Sequence, residues 1–345
     1  MSPSPDPARS AGGPRAVDFF AGRAFVLIRR RLAQALPVVL LILVGNFLLL
    51  KLAPGDAVDA YIATIGGGDA GVVARLRAEY GLDQPAIVQL GLYLWKAIRL
   101  DLGQALLYGQ PVLTLILERL PNTLLLMASS VSLAFGFGVV LGVAAARRVG
   151  RAEDTAIITL GLVIYATPGF WLGLMLIVIF SVKLAWLPLA GIETIASTLT
   201  GWERALDIAR HLVLPTLSLA LIYVAIYMRL MRAGMLEVYG LDFIRTAKAK
   251  GLSDDRIAWR HVLPNAILPM VTMLGLQFGT LLGGSVVIES VFSIPGIGRL
   301  AFESVVNRDL NTLLGIVFMS ALLVITVNLI VDLLYAQLDP RIESA

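Results

Sequence analysis

The chain has 345 residues, 58% of them hydrophobic and 15% charged, with a mean hydropathy of +0.83 and a formal net charge of +4. That is more apolar surface than a water-soluble domain can bury, so the composition specifies an integral membrane protein. The absence of cysteine excludes disulfides and thiolate chemistry, and the small positive charge does not point to nucleic acid, because the basic residues gather beside apolar runs where membrane orientation explains them.

Residues 1–15 are mostly Ser, Pro, Gly and Ala, a composition that cannot offset the entropy of ordering, and they read as a disordered tail. Residues 17–31 combine Phe19, Phe20, Phe25, Val26 and Ile28 with Arg23, Arg29, Arg30 and Arg31, which suits a helix lying against lipid headgroups. The apolar run that follows is longer than the core of a cleaved leader and lacks a clear small-residue cleavage site.

A membrane helix needs about 20 mostly apolar residues. Six runs qualify: Leu32–Leu52, Thr123–Ala146, Ala156–Leu184, His211–Met231, Ala266–Ile288 and Leu313–Leu334. The fold class is therefore an all-α integral membrane protein with six transmembrane helices. The chain divides into a tail and interfacial helix (1–31), a first span (32–53), an outer helical loop (54–122), a core of five spans (123–338) with a polar loop at 232–265, and a short tail (339–345). Pro168 and Gly169 predict a kink in the long third run. With the N-terminus inside, 17 of the 28 basic residues fall on cytosolic segments, which puts both termini in the cytoplasm.

The outer segments are unequal. Residues 54–122 contain amphipathic pieces at Val72–Tyr80 and Ile87–Ile98 and predict a small helical lid. The last outer loop carries SVFSIPGIGRL, in which Pro295, Gly296 and Gly298 call for a tight turn and Phe292, Ile294 and Ile297 call for a packing surface. A mouth-lining loop and a plain surface turn both fit.

Polar groups inside the spans normally face a bundle interior or a water-filled path. Asn46, Gln277, Asn328 and Asp332 fall within the predicted apolar runs. Asn328 and Asp332 share one helix face and suit a structural hydrogen bond. Gln277 has Gly275, Gly279, Gly283 and Gly284 around it, which makes the fifth span the first candidate to line a pathway, with helix packing as the other reading. The chain has no phosphate-binding G-x-x-x-x-G-K-[ST] loop. Its two histidines, His211 and His261, lack metal-site spacing, and the Ser129, Ser130 and Ser132 cluster has no His or acid partner and suits helix packing. No enzyme site is present in the sequence and no metal or cofactor is expected on this chain.

Phe243–Pro269 is an island of charge between the fourth and fifth spans. Its signals are two short helices around one turn. The first runs from about Asp242 to Lys250 and stops at Gly251. Ser253 caps the second, with Asp254 and Asp255 at its positive end, and Pro264 ends that helix or kinks it into the next span.

This stretch resembles the EAA loop of ATP-binding-cassette importer permeases, a pattern of E-A-A, three residues, Gly, nine residues and I-x-L-P. Arg245, Thr246 and Ala247 stand at E-A-A, Gly251 matches, and His261, Val262, Leu263 and Pro264 fill the last places. RTAKAKGL followed by RHVLPNAILP is similar to the version in the dipeptide, oligopeptide and nickel permeases. LAPGD, GLDQP, ERLPNTL, TPGFWLGL, ESVFSIPGIGRL and VDLLYAQLDPRI extend the resemblance over nearly the whole chain, and the long first outer loop looks like the B-type subunit of that family.

The resemblance implies the type I importer arrangement in a bacterial inner membrane. Half of a translocation path for di- or oligopeptides would come from this chain and half from a C-type permease. An extracytoplasmic binding protein would deliver cargo, and two cytosolic ATPase subunits would hold ATP and Mg. Phe243, Ile244, Arg245, Thr246, Ala247, Lys248, Lys250, Gly251, Leu252, Ile257, Leu263 and Pro264 are the expected ATPase-coupling residues. Asn46, Gln277, Gly279, Gly283, Glu289, Phe292, Pro295 and Gly296 are the candidates for pathway or gate. Nickel or another small solute is the alternative cargo. A self-sufficient channel or ion-coupled carrier is the alternative of another class, and the sequence lacks most of the charged pathway residues it would need.

Overall fold

Hydrocarbon offers no hydrogen bonds, so each apolar run must close its own main-chain N–H and C=O pairs as helix. The computed structural model describes residues 16–52, 58, 69–79, 83–105, 108–196 and 198–338. The expected disordered tail, most of LAPGD, the start of GLDQP and residues 339–345 lie outside the described residues.

The helices are α1 (Ala16–Leu52), α2 (Ala70–Glu79), α3 (Ala86–Ile98), α4 (Val112–Arg147), α5 (Ala152–Ala166), α6 (Gly169–Leu176, followed by a π-helical segment Ile177–Lys183), α7 (Gly201–Tyr239), α8 (Asp242–Ala249), α9 (Asp254–Ile257, followed by a π-helical segment Ala258–Val262), α10 (Leu263–Ala266), α11 (Leu268–Val291), α12 (Ile297–Val306) and α13 (Leu310–Leu338). Among the described residues four helices are long and apolar enough to cross a membrane, and two bent pairs, each taken as one span, bring the number to six. The first pair is α5 with Gly169–Lys183, bent by 98° at Thr167 and Pro168. Pro168 has no N–H to continue the helix, so the expected kink is a near right angle. The second runs from Asp254 to Val291 and bends by 56° between Gly275 and Gln277.

Three boundaries differ from the sequence expectation. The interfacial helix and the first span are one unbroken helix, Ala16–Leu52, which runs through Pro37. α4 starts at Val112 and α7 at Gly201, each about ten residues before its apolar run. Glu118, Glu203 and Arg204 are exposed in these added turns, and the helix continues through them. A small exception to the helical fold is the antiparallel pairing of β1 (Gln104–Ala105) with β2 (Gln110–Pro111).

Lipid tails are as apolar as leucine, so close van der Waals fit rather than water exclusion must hold the spans together. α4 and α7 supply it. A Cβ added at Gly138 would lie 2.4 Å from Tyr227 Cβ, and one at Gly142 2.5 Å from Met231 Cβ. The two glycines form a G-x-x-x-G pattern, a readable packing signal. Ser129 Oγ and Thr216 Oγ1 lie 2.8 Å apart across the same seam, which gives the serine cluster its packing role. α13 is tied to α1 at both ends. Asn46 Nδ2 donates to the Leu314 carbonyl at 3.2 Å, and the Arg31 guanidinium grips both Asp332 oxygens at 2.7 and 3.0 Å.

Candidate functional site

The polar stretch after α7 forms a knob of two helices on the end of the bundle. α8 ends in a Schellman turn. Gly251 sits at φ +74°, its N–H donates to the Lys248 carbonyl at 2.9 Å, and the Leu252 N–H reaches the Ala247 carbonyl at 3.4 Å. Only glycine adopts that φ at little steric cost. Ser253 then caps α9 by accepting the Arg256 N–H at 3.4 Å, with Asp254 and Asp255 in the first turn. Pro264 falls in the first turn of α10, where a missing N–H costs nothing. The π-helical segment before it absorbs the change of register, so the second helix kinks onward toward α11 instead of ending.

Spacing decides what each side chain of the knob can touch. Ile244, Ala247, Ile257, Ala258 and Val262 point into the bundle and join the core beside Met235 and Met270. Ile244 and Ile257, read from sequence as apolar contacts for a partner, are therefore the anchor of the knob. Leu252 and Leu263 pack partly against the same core. Phe243, Arg245, Thr246, Lys248, Lys250 and Gly251 face outward, with Phe243 45% exposed. Trp259, 47% exposed, belongs to this outer surface too and went unnoticed in the sequence. In the sequence it stands between Arg256 and Arg260, and the charge of these neighbours masked it. Arg245 pairs with Asp242 at 3.3 Å, but both side chains are largely in water, so the pair adds little stability.

Two ion pairs bind the knob end of the bundle together. Arg147, at the end of α4, pairs with Asp255 of α9. Arg232 of α7 holds Asp154 of α5 with two 2.8 Å hydrogen bonds, and the Gly150 N–H adds a third at 3.2 Å. This second pair is bidentate and mostly buried.

The pathway candidates divide into two groups. Gly279 and Gly283 lie on an exposed face of α11, and an added Cβ there would meet nothing within 4 Å. Gln277 is buried beside the bend, its Oε1 accepting from Thr280 Oγ1 at 2.9 Å. Asn46 lies in the seam of α1 and α13. Glu289, Phe292 and Gly296 are buried and Pro295 partly so, all at the end opposite the knob.

There Glu289 organises the SIPGIGR turn. Its carboxylate accepts from Thr123 Oγ1 at 2.7 Å and from the Arg299 N–H at 2.9 Å. Thr123 Oγ1 in turn accepts the Ile297 N–H at 2.8 Å, and Asn122 Nδ2 donates to the Pro295 carbonyl at 2.8 Å. Glu289 thus acts as the missing cap of α12, an anion at a helix N-terminus. Gly296 is obligatory, because a Cβ there would lie 2.4 Å from the carboxylate. Nearby, Tyr108 and Arg299 hold Glu303 from two sides at 2.7 and 2.8 Å. Burial raises its pKa, but these two bonds outweigh that and leave it below the ordinary range. A cleft of about 620 Å³ opens beside the same turn, between Gly191–Arg204 and Ser293. At its edge, the Arg204 guanidinium hydrogen-bonded to Glu193 holds that carboxyl low.

A multi-pass helical membrane protein with a charged, capped knob between its fourth and fifth spans and no phosphate-binding loop has the build of a transport permease. The chain belongs to the family of binding-protein-dependent transport system inner membrane components, whose model matches residues 138–344. It is 39% identical over 318 residues to the oligopeptide transport system permease protein AppB of Bacillus subtilis (strain 168), covering 92% of this chain and 98% of that protein. It is 40% identical over 317 residues to a protein of Brucella abortus (strain 2308) named for a peptide transport system permease, with coverage of 92% and 98%. In fold it is similar to a solved inward-facing structure of the MetNI methionine ABC transporter, at a TM-score of 0.53 and 16% identity, covering 65% of this chain and 96% of that one.

Proposed function

We propose that this permease subunit imports di- or oligopeptides as the B-type half of a two-permease path, driven by two cytosolic ATPase subunits that dock on the knob. The observation that carries the reading is the division of the knob into a buried apolar anchor and an outward face of Phe243, Arg245, Lys248, Lys250 and Trp259. Such a face suits a partner groove with an apolar floor and acidic rim. Leu252, Leu263 and Pro264 set its angle, and Thr246 and Gly251 let a partner backbone come near. On this reading the knob and both termini are cytoplasmic, the membrane is the bacterial inner membrane, and ATP and Mg stay on the partner subunits.

The end with the Glu289 turn then faces the binding protein that delivers cargo, with Gly279, Gly283 and Gln277 on the path between. The names of the relatives favour peptide over nickel. Gly251→Asp tests the coupling role: it is expected to abolish co-purification with the ATPase subunits and ATP-driven uptake while membrane insertion is unchanged. Normal co-purification and uptake would overturn it. Specific uptake by vesicles holding this chain alone would establish a self-sufficient carrier instead.

A further inference from the structure

Arg229 is a cation inside a span that the roles above leave unused. It lies ten residues before the end of α7, about 15 Å from that end along the helix axis. Three residues nearer the knob, Arg232 is neutralised by Asp154. Among the described residues Arg229 has no such partner. Its Nε donates to the Ala225 carbonyl at 3.3 Å, and its guanidinium stands over the Tyr165 ring, 5.0 Å from the centroid. Among the described residues no acceptor meets its two terminal nitrogens. Tyr165 is itself exposed and lies next to the 98° break after α5.

The direction of this side chain follows from its helix. α7 meets α4 through Tyr227 and Met231, α5 through Ala225 and Met228, and α11 through Leu219 and Tyr223. At about 100° per residue, Arg229 points roughly 180° away from the α4 contact, between the directions of α5 and α11. On α11 the exposed positions Gly283 and Val287 are likewise turned about 120–160° from Glu289, which reaches α4. Both helices therefore open on the side away from α4. A guanidinium at this depth costs free energy unless it faces water, a partner or a ligand. It presents a planar fork of unused donors, which matches a carboxylate, and the Tyr165 ring fixes its plane.

We propose that Arg229, held by Tyr165, is a carboxylate-binding site on the translocation path that takes the C-terminal carboxylate of the passing peptide. This rests on the peptide-permease reading above. The test uses the whole complex, with its second permease, ATPases and loaded binding protein, in phosphatidylcholine vesicles with and without phosphatidylglycerol. Each peptide is supplied as free acid and as C-terminal amide. Arg229→Gln is expected to slow uptake of the acid about tenfold, the loss of one charge-assisted pair. Arg229→Lys restores part of it, while amide uptake and basal ATP hydrolysis match the unaltered complex.

Equal slowing of acid and amide, or no slowing, overturns the proposal. A defect confined to phosphatidylglycerol vesicles overturns it in favour of a lipid phosphate. A second measurement uses the absence of native cysteine. Arg229→Cys would be the only thiol of this chain, introduced into partners freed of cysteine. It is expected to react with a charged, membrane-impermeant thiol reagent and to be protected by free-acid peptide. No reaction, or no protection, overturns the proposal even if the amide is not carried at all. Failure of the permease reading itself looks different: the unaltered complex then shows no ATP-driven uptake of the free acid.

Discussion

The knob after α7 and the Glu289 turn at the opposite end are both short connections between spans, and they are built in opposite ways. The knob takes its shape from neighbours in sequence, a Schellman turn at Gly251, a cap at Ser253 and an apolar face of Ile244 and Ala247, with the Arg147–Asp255 pair as its one long-range polar tie among the described residues. It turns its charges outward. The Glu289 turn is held by Thr123 and Asn122, more than 160 residues away, and turns its charge inward. A connection built from local caps keeps its surface free for another protein, whereas one built from long-range hydrogen bonds uses its polar groups on itself.

Breaking the turn should cost most. Glu289→Ala removes the acceptor of Thr123 Oγ1 and of the Arg299 N–H inside a buried site, a loss of about 2–4 kcal/mol. A fall in the thermal midpoint of the detergent-solubilised protein by several degrees is expected, and an unchanged midpoint would dissolve the contrast between the two ends. Gly251→Ala comes next, because an alanine at φ +74° costs about 1 kcal/mol. Faster hydrogen exchange should then appear across α8 and α9 and nowhere else. Phe243→Ser and Lys248→Glu should change stability by no more than about 0.5 kcal/mol, yet abolish pull-down of the ATPase subunits. Retained pull-down would show that the knob surface is not the docking face.

The smallest effect expected is one of pH. Glu303 has a folded pKa below its unfolded value, so its pairing stabilises fully above the unfolded pKa and is lost as pH falls through the folded one. Hydrogen exchange in residues 108–112 should rise on acidification, while α8, whose Ile244 and Ala247 anchor does not titrate, stays protected. Equal loosening at both ends would remove the distinction.

The same contrast explains what could be read in advance. Gly251, Ser253 and Pro168 act within a few residues of themselves, so the turn, the cap and the break were visible in the sequence. Apolar length alone located the six spans, but it stopped α4 and α7 at their first charges, although a helix leaving hydrocarbon into water has no reason to end there. The inward side of the knob was less visible, because Ile244 and Phe243 are adjacent and only the burial of the one and the exposure of the other in the folded chain tells anchor from surface. Glu289 was singled out as a gate candidate, yet nothing near it in sequence names Thr123 as its partner. A run of letters does not show that Arg232 has Asp154 while Arg229 meets no carboxylate among the described residues.

The two ends are joined by α4, which carries Thr123 at the Glu289 turn and Arg147 at the knob. The 24 residue steps from one to the other span about 36 Å of helix, and the G-x-x-x-G seam against α7 lies in the inner half of that length. Such a rod has a lever arm. A tilt of about 5° pivoting at Arg147 carries Thr123 sideways by about 3 Å, the length of the hydrogen bonds it makes. Angular play too small to unseat the knob is thus enough to make or break the contacts of the far turn, and stroke is gained at the end where force is given up.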